Sequence, residues 1–472
     1  MRKSILLLVT LLVLALPAGA RKVTGKVISG EQRLSGVIVT DGENFTLTDR
    51  KGAFRLKVAD DAPFIYIVSP AGYQPDCSRG APAFYQRLTR QKAYTFTLTA
   101  TRPGTDYALF SVSDPQMQNE KHLKRFRGAP LEDLKARAAE YGARMNTVGV
   151  ALGDVAWNLL DMFGPYKESI SETGIPFYTV MGNHDFIQNV SGKAAQASYE
   201  EAFGPVNWAF WLGEDLVIGL NNLIFKGSVD DPTKSGKYVE GYPQWTMDFV
   251  KGLLPFIPKG THLYIAQHSP LYRWFQDKKI VGGEEMLALL EGYEVDILSG
   301  HTHIRNIHHY SDAIVEYNAA SVCGSWWMTD YCNDGTPRGY DIFTCTDGKH
   351  ARFWHNIDFP DDHLVEFSAV GESTLFPEAV VANVWDFDRG WKLEWFLDGV
   401  SQGVPEQVKD LSPNYIREIN EAYRDKEIPR FKRPRLNTHY FATGSVPEGA
   451  VVRFVVTAPD GRTWQYETPS DE

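Results

Sequence analysis

Between Tyr107 and about residue 320 the chain repeats one unit: a short apolar run, a polar loop, then a segment of helical periodicity. YALFSVS precedes LEDLKARAAEYGA, NTVGVAL precedes NLLDMFGPYKESI, and THLYIAQ precedes GEEMLALLEGY. Strand followed by helix, repeated, restricts this stretch to an α/β layered domain. In such sheets ligands gather where strands end at their carboxyl side.

The flanks have a different texture. Residues 22 to about 100 alternate apolar and polar positions between Gly, Asp and Asn turns, as in VTGKVISG, FTLTDRKGAFRLKV and FIYIVSP. The pattern GVIVTDGENFTLTDRKGAFRL resembles a small immunoglobulin-like or carboxypeptidase-regulatory-like sandwich. TATRPGTD reads as a linker, and alternation returns after about residue 330 in YDIFTCTDG, AVVANVWDF, WKLEWFLDG and AVVRFVVTA, with one helical segment near SPNYIREINEAYRD. A length of 472 residues suits roughly three domains. The boundaries expected are a leader over 1–20, an N-terminal β-sandwich over 21–102, the α/β domain over 106–325 and a C-terminal β-rich module over 326–472.

The leader reading rests on Arg2 and Lys3, an apolar core from Ile5 to Leu16, and Ala18-Gly-Ala20 as a small-x-small cleavage signal. That core is shorter than the roughly 20 residues of a spanning helix, and no other segment reads as transmembrane, so an exported chain, periplasmic or secreted, is expected. The net charge of −11 argues against holding nucleic acid by charge alone. An anionic substrate therefore needs local positive charge, for which bound metal is one source. Cys77, Cys323, Cys332 and Cys345 form no Cys-x-x-Cys pair. Pairing among the last three and free buried thiols both fit the sequence.

The metal-capable residues of the α/β domain sit in loops after predicted strands: Asp114 in SVSDPQ, Asp154 in VALGD, Asn183, His184 and Asp185 in MGNHD, His268 in AQHSP, and His301 and His303 in SGHTH. Each alone reads as a turn or cap residue. In order, carboxylates, an amide and imidazoles at five strand ends suit Mn, Fe, Zn or Mg ions. Two such ions about 3.5–4 Å apart can clamp a phosphoryl group.

These motifs resemble those of the calcineurin-like metallophosphoesterases: Asp-x-His, Gly-Asp, Gly-Asn-His-Asp/Glu, an isolated His and Gly-His-x-His. Four of the five match fully over residues 106–310, and the flanking modules resemble those of exported bacterial members. The resemblance implies a four-layer αββα sandwich with a dinuclear centre at its edge, acting on phosphate esters. It further implies that Asp154 bridges the ions, that Asp114 and His303 hold the first, and that Asn183, His268 and His301 hold the second. His184 would protonate the leaving oxygen with Asp185 orienting it, while a shared water, acidified by the two ions, attacks phosphorus in line. The departure is Gln116, which stands where the family has His. Its carbonyl oxygen is a weaker, harder donor, so it either coordinates the first ion or bonds a metal-held water. The rival reading is a non-catalytic metal-containing binding protein of the cell envelope, which the presence of His184 counts against.

Other residues are ambiguous by sequence. Trp326, Trp327 and Tyr331 form either an aromatic wall for substrate or packing at a domain junction. Arg305 either reaches a phosphate or is an exposed strand charge. His308 and His309 read as structural, facing opposite sides of a strand, and Tyr272 and Arg273 fall near a pocket rim.

Overall fold

The structure is a computed structural model that describes residues 21–227, 237–424 and 426–468; the expected leader lies outside them. Two sheets face one another at its centre. The first runs in the order Phe177–Thr179, Asn146–Ala151, Tyr107–Val112, Gly339–Thr346, Lys349–Asn356, its first three strands parallel. In the second, Asp215–Leu220, His262–Gln267, Glu294–Ser299 and Ile314–Asn318 are parallel, with Trp208–Leu212 and Asn306–His309 antiparallel at its edges.

Side-chain alternation sorts the layers. Tyr107 and Leu109 point into the core between the sheets, while Ala108, Phe110 and Val112 meet the helices Glu120–Arg127, Ala129–Gly142 and Phe163–Ser171 on the outer face. The second sheet is covered by Gln244–Leu253 and Gly283–Leu290. With both faces covered a strand has no polar side, and Asp215–Leu220, DLVIGL, is buried at all six positions. The outcome is the expected four-layer αββα sandwich.

The expected boundary at residue 325 is corrected. Gly339–Thr346 pairs antiparallel with Tyr107–Ser111 and Lys349–Asn356 pairs with it in turn, so the sandwich takes two strands from beyond that point. Period-two alternation marks a strand but carries no information on which sheet it joins. The C-terminal module proper has two four-stranded antiparallel sheets around Val384, Trp395 and Phe454, plus the helix Pro413–Ala422.

The N-terminal module is β-rich as expected, in two four-stranded groups, but its strands Lys22–Ser29 and Ala93–Thr97 pair in parallel, which strand counting did not foresee. Nor is it a detached spacer. Its apolar residues are continuous with the sandwich core: Phe45 and Tyr66 lie 5.7 and 6.4 Å from Phe249, and Phe84 lies 5.7 Å from Tyr178. All four cysteines are free, three of them buried. Among the described residues no helix is long and apolar enough to cross a membrane.

Candidate metal centre

Parallel strands end at one edge, so the loops after Val112, Ala151, Thr179, Gln267 and Ser299 converge there. Glycine lets them approach. A Cβ on Gly182 would lie 2.1 Å from the backbone nitrogen and Oδ1 of Asp154, and one on Gly300 would lie 1.8 Å from Ser113 Oγ. The backbone is also strained. Asp114, Gln116, Asp154, Asn158, His301, His303, Trp326 and Trp327 all have positive φ, from 45° to 69°. Each such residue costs on the order of 1–3 kcal/mol and persists only where its surroundings over-determine it. Their concentration at one edge marks a pre-organised site.

Four donor atoms converge around Asp154. Asn183 Oδ1 is 2.9 Å from His268 Nε2, His301 Nδ1 is 3.1 Å from the same nitrogen, and Asp154 Oδ2 is 3.4 Å from it. The outer nitrogens are both held. His268 Nδ1 donates to the Leu152 carbonyl at 2.7 Å, and His301 Nε2 donates to Glu240 Oε1 at 2.9 Å. With its ring proton on the outer side, each imidazole turns a lone pair inward, towards a carboxylate and an amide oxygen. Lone pairs facing lone pairs repel unless a cation lies between them, so this donor set fits a divalent ion. The same pull on positive charge acts on a proton: burial presses His268 down, yet Asp154 and Asp114 outweigh it and lift the imidazole to about 9, so an ion takes the inward nitrogen in competition with a proton. Glu240, whose other oxygen pairs with Arg273, went unrecognised in the sequence. It lies in a separate strand with no motif around it.

The neighbouring group is Asp114, Gln116 and His303. Asp114 Oδ2 accepts from the His301 backbone N–H at 2.9 Å, and its Oδ1 lies 3.3 Å from His303 Nε2. Burial alone would raise both Asp114 and Asp154; His303 outweighs it at the first, His268 and His184 at the second, and both stay below the usual carboxylate range. Apart from that ion-pair contact with Asp114, neither ring nitrogen of buried His303 has a hydrogen-bond partner among the described residues, and neither does Gln116 Oε1. Gln116 Oε1 and the unprotonated nitrogen of His303 are the orphaned buried acceptors that a second ion would satisfy. Gln116 Nε2 donates to Asp154 Oδ2 at 2.9 Å, which places the amide beside the shared carboxylate. A half-turn of that amide would present Oε1 in the same place.

His184 stands next to Asn183, stacked on Trp157 at 4.3 Å, with its backbone N–H on Asp154 Oδ1. Its Nδ1 donates to Asn158 Oδ1 at 2.9 Å, an oxygen that also accepts from Gln188. The expected partner, Asp185, is corrected. Its carboxylate accepts backbone N–H groups of Ala156 at 2.9 Å, Gly182 at 3.0 Å and Val155 at 3.3 Å, clamping two loops together. A carboxylate so engaged below the loop does not orient the imidazole; Asn158 does. Nothing in VAWNLL announced that role, because it arises from loop packing.

Arg305 is also corrected. It is 2 % exposed, forms a bidentate pair with Asp341 at 2.9 and 3.0 Å, reaches Asp386 at 2.5 Å and lies over Trp354. A guanidinium already shared between two carboxylates has no fork to offer a phosphate. Trp326 does reach the centre, stacked on His303 at 4.3 Å with a buried indole N–H that has no partner among the described residues. Trp327 stacks on His122 at 3.5 Å and donates to the Pro115 carbonyl at 3.1 Å. Phe431 of the C-terminal module, 41 % exposed, sits 5.0 Å from Trp326 and 6.1 Å from Trp157. Tyr331 donates instead to Glu366. His308 stacks on Tyr272 and His309 pairs with Asp388, both structural contacts.

Family models match the chain in three consecutive segments: the N terminal of calcineurin-like phosphoesterase over residues 21–101, calcineurin-like phosphoesterase over 141–305, and the C terminal of calcineurin-like phosphoesterase over 316–460. No curated protein matches the sequence. Among solved structures the chain is similar to a dimetal phosphatase from Danio rerio, at 13% identity over 53% of this chain and 96% of that one, with a TM-score of 0.38. It is also similar to a purple acid phosphatase from yellow lupin (Lupinus luteus) seeds, at 9% identity over 68% and 67%, TM-score 0.36. A third is the NAD nucleotidase of Haemophilus influenzae, at 11% identity over 53% and 50%, TM-score 0.31.

Proposed function

Because the chain belongs to the calcineurin-like phosphoesterases, metal-dependent hydrolases with a dinuclear centre, we propose that it cleaves phosphate esters by single displacement with His184 as proton donor. The observation that carries this reading is the inward convergence of Asp154, Asn183, His268 and His301 beside an imidazole that binds none of them through its ring. Two divalent ions, when bound, would supply charge for the phosphoryl oxygens and a water acidic enough to attack near neutral pH.

The side chains supply the rest. Asp154 lies between both donor groups and is the shared carboxylate. Asp114, Gln116 and His303 are the residues for one ion; Asn183, His268 and His301 are those for the other. Asn158 keeps the proton on Nδ1 of His184, so Nε2 is the atom that gives a proton to the departing alkoxide and recovers it afterwards. Trp157 holds the ring in plane by stacking, and Trp326, Trp157 and Phe431 supply an apolar wall for the ester's organic group.

Turnover of a chromogenic monoester and a diester, each with Mn²⁺ and with chelator, tests the reading. Metal-dependent release is expected; no release with any divalent ion would overturn it, as would trapping a phosphorylated side chain during turnover. We also propose that the chain is exported, on the strength of its leader-like first 20 residues. N-terminal sequencing of the mature protein should begin at Arg21, and an intact Met1 would count against export.

A further inference from the structure

The strands whose carboxyl ends carry the metal centre begin at the opposite edge, roughly 20 Å away for six residues of strand. Three side chains there bring their metal-binding atoms within 4.8 Å of one another: Asp215, His262 and His350. Asp215 and His262 open adjacent strands of one sheet, and His350 belongs to the other. His350 Nε2 is 2.7 Å from Asp215 Oδ2, His262 Nδ1 is 3.9 Å from the same oxygen, and the rings are 4.3 Å apart.

The protonation pattern is the informative part. His262 Nε2 lies 3.2 Å from Asp296 Oδ2, nearer than its other nitrogen lies to Asp215, which favours the ring proton on Nε2. Nδ1 then presents a lone pair to the Asp215 carboxylate, and this buried nitrogen has no hydrogen-bond partner among the described residues. An imidazole backed by an outer carboxylate with its other nitrogen open is the arrangement metal-binding histidines adopt. Lys259 and Arg352 are committed elsewhere, the first to the Glu291 carbonyl and the second to Asp341 and Asp386; Asp215 Oδ2 accepts from Tyr107 Oη and shares the His350 ring proton, which an ion would displace. The cluster opens on a cavity of about 770 Å³ lined also by Glu214, Glu294 and Tyr317, which leaves room for a water as a fourth donor.

We propose that Asp215, His262 and His350 form a third metal site, distinct from the catalytic centre, that takes a borderline divalent ion of the zinc type. Two imidazole nitrogens, one carboxylate oxygen and one open position match four-coordinate zinc better than the all-oxygen shells of Mg or Ca. An ion there would tie the two sheets together, because its ligands come from both. The proposal stands independently of the reaction at the other edge.

The test is a metal count on the full chain, loaded with zinc and freed of excess by gel filtration. Wild type should carry one ion per chain more than His262→Ala/His350→Ala, while the variant keeps ester hydrolysis and the far-ultraviolet dichroism of wild type. Zinc should also raise Tm more in wild type than in the variant. Equal counts in the two proteins would overturn the proposal and leave the cluster as a proton-sharing network. Should the double variant fail to fold, His350→Gln replaces it: competition with a chromophoric chelator should then show the extra ion bound at least about tenfold more weakly, and unchanged competition would equally overturn the site.

Discussion

Asp154 is shared by two donor groups that differ in how they are supported. In the group of Asn183, His268 and His301, each imidazole is anchored on its outer side, by the Leu152 carbonyl and by Glu240. In the group of Asp114, Gln116 and His303, the imidazole faces Asp114 through Nε2 but its outer nitrogen, Nδ1, has no partner among the described residues; the ring is otherwise held by stacking on Trp326, and the third donor is an amide. An anchored ligand loses little freedom when an ion arrives, whereas an unanchored one must be immobilised then. The comparison teaches that the centre is asymmetric: its second ion should be resident and its first exchangeable.

The largest effect should come from the residue common to both groups. Asp154→Asn removes the bridging charge, and activity should fall to that of chelator-treated protein, with metal analysis showing both ions lost. If one ion were retained at full occupancy, the carboxylate would not be shared. His184→Ala should lower turnover of alkyl esters about 10²–10⁴-fold and leave the metal count unchanged. Esters with good leaving groups should suffer far less, and equal losses on both would remove His184 as proton donor.

Glu240→Ala targets the support of the resident ion. Loss of an outer carboxylate typically weakens metal binding about 10–100-fold, so titration should show the tighter of two affinities moving towards the weaker. A shift confined to the weaker ion would reverse the assignment of the halves. The smallest change is expected for Gln116→His, which should tighten the exchangeable ion by up to about tenfold, ~1.4 kcal/mol. No change in affinity would mean that Gln116 does not coordinate and instead bonds a water.

The sequence was most informative where chemistry is written in consecutive residues. Asp114, Asp154, Asn183, His268, His301 and His303 were legible because each lies just past an apolar run, and parallel strands bring such ends together. What it hid are relations made only by folding. Glu240 supports His301 from a strand with no motif, and Asn158 takes the orienting role that Asp185 was expected to have. Arg305, two residues past His303, looked free and is instead locked into a quartet with Asp341, Arg352 and Asp386. Strand alternation likewise placed Gly339–Thr346 correctly as a strand and gave no hint that it completes the central sandwich.

The shared core of the N-terminal module and the sandwich bears on how the protein comes apart. With Phe45, Tyr66 and Phe84 seated against Phe249 and Tyr178, neither part can open without baring the apolar face of the other. Calorimetry should therefore record their melting as one cooperative event, and a protease cutting between residues 100 and 106 should nick the chain without releasing a fragment. A clone begun at residue 103 would instead be born with a sticky flank and should aggregate before any assay of its chemistry could be made.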